Sequence, residues 1–364
     1  MSEKTLIQWC HTTVNPVMGC LGCELWPTPL SVSSTLASLV TSLPSQDQEG
    51  VKKTIKNVST YYETSTQLWH NRAYISYLLG FITTQKIPAY VWLDKIEGCF
   101  KCYAGKQHMI RGAKPSAWSH PSTKGYAAIF DRPEIFPGRM TKTARLPDLR
   151  EKKHPHSPWL NSLPRLVFVS DMGDALSKTI SFDYLTTEII NTVTSANGQR
   201  HIWLWLTKRA QRMAKFGQWL KNDHHLDWPD NLVAMTTITS QSTQSEIDAL
   251  RKVPAKIRGL SVVPLLEEVT LDLRGIDWVI AGGESGPQAR EFDLRWARSL
   301  QDQCKLAGAA FFMKQLGANI VDGGFPLTVQ DRHGGDWEEW PTDLRVREFP
   351  KAFRDASLLL PKAT

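Results

Sequence analysis

Cys20 and Cys23 form one C-x2-C pair and Cys99 and Cys102 a second, with Tyr103 directly behind it. Four of the six cysteines therefore sit in two knuckles, a pattern that suits a metal or an iron–sulfur cluster better than a disulfide framework. A thiolate is a soft ligand that selects zinc or iron–sulfur, and two thiols separated by two residues reach one centre from a single turn. The plainer reading is four small buried hydrophobes that happen to pair at this spacing. Cys10 stands alone, and Cys304 falls on the apolar face of an expected helix, so neither has a comparable claim to chemistry.

These thiols need elements to position them. From about residue 163 onward, short apolar runs at 166–170, 201–206, 232–238, 259–263, 277–281 and 310–314 alternate with segments of helical period, as parallel strands covered by helices require. A strand at 126–136 and another entering 14–20 bring the number to about eight, which predicts an α/β fold, a TIM-barrel-like full or partial (β/α) barrel. Between the strands, 179–196 is an expected helix with Ile189, Ile190 and Val193 on one side and a stop at Asn197 and Gly198. Thr243 and Glu246 have capping-box spacing. Asp293 is positioned to cap a helix whose Ala297, Leu300, Cys304 and Ala307 share a face, ended by Gly308.

In such folds function collects on the loops after the strands' C-terminal ends. The residues there are Ser170, Asp171 and Asp174; Thr207, Lys208 and Arg209; Thr239 to Gln241; Gly282, Gly283, Glu284 and Ser285; and Lys314 with Gln315. Such exits suit a polar cofactor pocket, although any strand must end in polar loop residues. Ser170, Asp171 and Asp174 suit ribose hydroxyls or an amino group, or else cap the helix after Leu176. Lys208 and Arg209 suit a carboxylate or phosphate, or else start a surface helix. Gly283 and Glu284 make either a cofactor-holding glycine–acid turn or a tight turn with a solvent-facing acid. His154 and His156 read as solvated, and the glycine- and tryptophan-rich 331–340 as the closure of a barrel end.

At 364 residues, 41% hydrophobic and 22% charged, the chain can bury one large core or two ordinary ones. It has no apolar run of about 18 residues and no secretory-like start, so the expectation is a cytoplasmic protein with no membrane partner. A net charge of +7 makes DNA or RNA a plausible partner, while the densest basic cluster, 145–153, also reads as a solvated loop. The expected organisation is a first strand and knuckle at 1–25, a mainly helical insertion or lid at 26–97, the barrel at 98–350 and a tail at 351–364. The insertion's aromatics, among them Tyr61, Trp69, Tyr74, Tyr77 and Phe81, serve packing or base stacking.

The run from Val14 through Asn15, Pro16, Val17, Met18 and Gly19 to Cys20, joined to Gly98-Cys99-Phe100-Lys101-Cys102-Tyr103, resembles the split signature of a phage-associated, radical-S-adenosylmethionine-like family named after mycobacteriophage gene products thirty-seven and sixty-eight. Further blocks resemble it in order: 167–174, 206–209 with Met213, 260–266, 276–287 with Ala289 and Arg290, 311–315 and 343–350. The resemblance implies a barrel in which Cys20, Cys99 and Cys102 hold a [4Fe-4S] cluster and S-adenosylmethionine chelates the fourth iron. It also implies an electron donor and a 5′-deoxyadenosyl radical.

Three departures stand out. An insertion separates Cys20 from Cys99 where the family has a few residues, a change that costs little in closure entropy. Cys23 is an extra thiol, either a fourth ligand or a bystander. Thr239 and Val263 occupy positions that are usually glutamate. Two functions therefore compete: a radical enzyme acting on nucleic acid or another phage-associated substrate, and a non-catalytic nucleic-acid-binding protein with a closed four-cysteine zinc site.

Overall fold

The computed structural model describes residues 5, 7–20, 45–46, 48–49, 102–104, 127, 133–286 and 289–355. The expected insertion at 26–97 lies almost wholly outside them. Two compact units divide the chain: Met1–Pro16 with Pro137–Asp171 and Ile180–Thr364, and Val17–Phe136 with Met172–Thr179.

The first unit is α/β. Seven parallel strands lie in sequential order: β1 (Thr12–Val14), β4 (Leu166–Val169), β5 (Ile202–Thr207), β6 (Leu232–Thr237), β7 (Arg258–Val262), β8 (Trp278–Gly282) and β10 (Ala310–Gln315). Their near-continuous Val, Ile, Leu and Trp content matches a sheet buried on both faces. The six runs expected from 166 onward are all strands, with ends displaced by one residue at most.

The sheet is curled. In a flat one, β1 and β8 would lie five spacings, about 24 Å, apart. Yet Trp9, just before β1, has its ring 4.6 Å from Phe168 on β4 and 6.0 Å from Trp278 on β8. Inward-facing side chains fill the concave face: Leu166 and Phe168 of β4, Ile202 and Leu204 of β5, Val233 and Met235 of β6, Trp278 and Ile280 of β8 and Phe312 of β10, with Ala310 partly buried against them. Phe349 and Phe353 pack on Trp278 at 5.3 and 5.5 Å.

Helices cover the convex face. In α4 (Ala210–His224), Phe216 meets Trp205 of β5 at 5.7 Å, and Trp228 stacks on the same indole at 5.8 Å. The expected 179–196 helix runs as α2 (Phe182–Leu185), a π-helical stretch Thr186–Ile190 and α3 (Asn191–Val193), with Ile189, Ile190 and Val193 buried as anticipated. The buried Glu188 carboxylate accepts from the backbone N–H groups of Gly138 and Met140 (2.8 and 2.9 Å), satisfying the start of α1 (Arg139–Ala144). In α6 (Leu294–Ala307), Asp293 caps Arg295 N and Gly308 ends the helix at φ +73°.

Three local expectations need correcting. Ala307 is exposed, because the last turn of α6 runs past the sheet. The capping box before α5 (Ser245–Arg251) joins Ser240 and Thr243, while the Glu246 carboxylate accepts from Ala210 N at 2.9 Å and so holds the start of α4. Finally, the strand expected at 126–136 does not extend the parallel sheet. Its described part, β3 (Glu134–Ile135), pairs antiparallel with β2 (Val17–Met18) in the second unit.

The β10 edge is covered by the chain's own C-terminal segment. Met313 N donates to Val346 O and Glu348 N to Phe311 O, at 2.8 and 2.9 Å, so the last strand presents fewer open ladder groups to a stray partner. A short second sheet carries β9 (Phe292–Asp293), β11 (Ile320–Asp322) and β12 (Phe325–Leu327).

Trp278 is fully buried at the centre of the aromatic cluster. Trp278→Ala is expected to lower the unfolding free energy in urea by about 3–5 kcal/mol. Leu306→Ala, at a side chain 90% exposed, should stay within about 0.5 kcal/mol of the parent.

Candidate functional site at the strand ends

Toward the C-terminal ends of the strands the side chains change character. Two residues beyond Phe168, Leu204, Met235, Ile280 and Phe312 stand Ser170, Leu206, Thr237, Gly282 and Lys314, with Lys314 at a register shift between β10 and β8 and Ser261 of β7 paired with Ile280. Apolar side chains thus give way to hydroxyls and a cation at the C-terminal ends, where a (β/α) scaffold places its chemistry.

Ser170 ends β4 at φ +73°, a left-handed conformation that costs a non-glycine residue of order 1 kcal/mol. Its N–H donates to Val14 O at 2.8 Å, which holds it against β1. Its buried Oγ has no hydrogen-bond partner among the described residues. Asp171, next in the chain, accepts from the Asn15 amide at 2.6 Å. Burial raises its carboxyl above the usual range, and the hydrogen bonds from Asn15 and Thr13 oppose that rise. Asn15 is positioned in turn: its carbonyl accepts from Arg139 Nη1 at 3.1 Å.

Lys314 is half-buried on β10 and makes no ion pair among the described residues. Burial lowers its ammonium from 10.5 to about 8, while the nearby Cys10 thiol works in the opposite sense. Cys10 is itself buried. Burial, aided by the Asp171 carboxylate, raises its pKa well above the ordinary value, so it remains a thiol at neutral pH. The interaction of Cys10 beside β1 with both Asp171 and Lys314 is a second consequence of the curl, since β1 and β10 are the two edges of the sheet.

Other strand-end residues take structural duties. Thr207 Oγ1 accepts from Arg209 N at 2.9 Å, and the Arg209 carbonyl begins the α4 hydrogen-bond ladder. Lys208 is half-buried at this turn. Gly283 must be glycine, because a Cβ there would lie 2.2 Å from Leu316 O. Glu284 is not solvent-facing: its carboxylate accepts from Arg290 Nε at 2.7 Å and from Arg290 N at 3.1 Å, tying the loop after β8. Thr239 is buried, and its N–H donates to Thr243 Oγ1 at 3.1 Å. His154 is not simply solvated either, since its ring lies 4.9 Å from that of buried His11, whereas His156 is exposed.

In the second unit, Gly19 bridges Gly173 closely enough that a Cβ on Gly173 would stand 2.6 Å from Gly19 O. Gly19 N donates to Met172 O at 3.1 Å, and Asp174 N to Gly19 O at 3.3 Å. The backbone entering Cys20 is therefore clamped. Asp174 serves this turn as a cap, accepting from Leu176 N at 2.9 Å. Cys20 and Cys102 are both half-buried, while Cys23 and Cys99 lie outside the described residues. Among the described residues, no three His, Cys, Asp or Glu side chains gather as a metal site.

Strand-end position marks Ser170, Asp171 and Lys314 in the sequence, but not Thr13, Asn15 and Cys10 as their partners. The Asn-Pro run after β1 was the available signal for Asn15. Nothing local marks Cys10, whose role depends on the meeting of the sheet's edges.

A depressed lysine makes the folded state more stable as pH rises from 8 to 10.5, because in that window the unfolded chain binds the proton that the folded chain has lost. The gain in unfolding free energy between these pH values should accordingly be larger for the parent than for Lys314→Met, as measured by paired denaturation curves.

Comparison with curated proteins gave no match, and comparison with solved structures gave none either. A family model does match, over residues 93–343, a span that includes Cys99, Cys102 and the strand ends from β4 to β10. With well over half of its length matched, the chain belongs to the family described as protein of unknown function DUF5131.

Proposed function

We propose that this chain is a cytoplasmic radical S-adenosylmethionine enzyme on a TIM-barrel-like partial (β/α) barrel, with a nucleic-acid base as the class of substrate. The observation that carries this reading is the set of polar residues at the strand ends, in which half-buried Lys314 has no carboxylate partner among the described residues. A cation in that setting is a ready receptor for a carboxylate or phosphate. The ordered motif blocks and the net charge of +7 support the same reading.

The donor chemistry fits the cofactor. Cys20, Cys99 and Cys102 would supply three thiolates to a [4Fe-4S] cluster and leave one iron without a protein ligand. The clamped backbone at Gly19 gives Cys20 the rigid setting that a ligand needs. When bound, the cluster and S-adenosylmethionine supply a 5′-deoxyadenosyl radical on receipt of an electron from a donor.

The chain's own residues do the rest. Lys314 Nζ neutralises an anionic group entering the site. Asp171, oriented by Asn15, accepts a hydrogen bond from a hydroxyl or amine, and Ser170 Oγ offers a donor that has no partner among the described residues. Beneath them Phe168, Leu204, Ile280 and Phe312 exclude water, which protects a reactive intermediate from side reactions.

The test is anaerobic purification and reconstitution with iron and sulfide, followed by absorbance and electron paramagnetic resonance with and without S-adenosylmethionine. A brown protein whose reduced signal changes on cofactor addition is expected. The cluster should persist in Cys23→Ala and be lost in Cys99→Ala and Cys102→Ala. A colourless protein holding one tight zinc through all four cysteines would reject the enzyme in favour of a structural centre.

A further inference from the structure

A cavity of about 460 Å3 opens elsewhere in the first unit, between the approach to β1 and the segment that covers β10. Gln8, Trp159, Asp336, Trp337, Glu338 and Arg347 line it, and none of them enters the function proposed above. Arg347 is 8% exposed and rigidly held. Its Nε donates to Met313 O and its Nη2 to Lys314 O and Gly335 O, at 3.2 to 3.3 Å. Its guanidinium lies 3.9 Å from the Trp159 ring, 4.9 Å from Trp340 and 5.2 Å from Trp337.

Two donors are left over. Arg347 Nη1 and the Trp337 indole N–H have no hydrogen-bond partner among the described residues, whereas the Trp159 and Trp340 indoles donate to Gln8 O and Gly334 O. Trp337 is only half-buried. Asp336 and Glu338 are exposed carboxylates on the same cavity, and Glu338 is already paired with Arg345 at 3.0 Å.

These features select a ligand. With Asp331, whose carboxylate accepts from the His333, Gly335 and Asp336 N–H groups, three carboxylates stand against one guanidinium and disfavour an oxyanion. A flat, uncharged heterocycle satisfies the site instead, if it carries an acceptor for Arg347 Nη1, donors for Asp336 and a face for Trp337. The geometry points to a guanine base: O6 accepts from Arg347 Nη1, the adjacent N1–H and the 2-amino group donate to a carboxylate, and the ring stacks on indole. Adenine would oppose its 6-amino donor to the guanidinium and offer Asp336 no N1–H.

Calorimetric titration of the full chain tests this. Guanosine should bind saturably at one site, at least about tenfold tighter than adenosine. Trp337→Ala should abolish binding, and Asp336→Asn, an exposed change that keeps a capping oxygen for Glu338 N, should weaken guanosine about tenfold and leave adenosine unchanged. Circular dichroism confirms folding of each variant, and Asp336→Asn decides the matter if Trp337→Ala fails to fold. A single-stranded deoxyguanosine oligonucleotide that competes with guanosine identifies nucleic acid as the source of the base. One that does not compete identifies a free nucleoside, and either result supports a guanine site. Absence of saturable guanosine binding, equal affinity for adenosine, or binding that both folded variants retain undiminished would overturn it.

Discussion

The first unit depends on the packing of Trp9 against Phe168 and Trp278. This contact joins the approach to the first strand with the sixth in spatial order, and it is possible only if the sheet curls around a shared apolar filling. A buried tryptophan removes more surface from water than an aliphatic side chain does, and three aromatic partners besides Trp9 surround Trp278. The curl turns the inner faces of the strands toward one another, and this in turn gathers the C-terminal strand ends.

Once the sheet is curled, polarity along each strand decides what the concave face can do. The middle of the inner face is aromatic and aliphatic, and the C-terminal strand ends introduce Ser170, Thr237 and Lys314. Burial acts on each group according to its charge: it makes the Lys314 ammonium easier to deprotonate and keeps the Cys10 thiol protonated. Ser170 adds backbone strain at the same level. A buried hydroxyl with no partner among the described residues, a weakened ammonium and a strained backbone at the strand ends are features that packing alone does not call for.

The open edge of the sheet has its own solution. Residues 346–348 bond to β10, and Arg347 from that segment reaches the Met313 and Lys314 carbonyls while lying on Trp159. The guanidinium links the covering segment to the edge strand and to the loop before β4. The same tie leaves the tryptophan-lined cavity, so edge protection and a binding surface share their residues.

Much of this fold was legible in the chain. Six strands from 166 onward, the Asp293 cap and the Gly308 stop follow from local pattern, since apolar runs and capping residues act over a few positions. So does the location of Ser170, Asp171 and Lys314 at strand ends. What local pattern could not determine was partnership. Glu284 has the makings of a cofactor acid but is committed to Arg290; the Thr207 and Asp174 side chains close local turns; and 134–135 joined β2 instead of the parallel sheet. The association of Cys10 with Lys314, and of Arg347 with Trp159, joins residues far apart in the chain. Their meeting was decided only when the sheet curled and its last edge was covered, because spacing along a chain specifies which face a side chain takes but not which distant face it will meet.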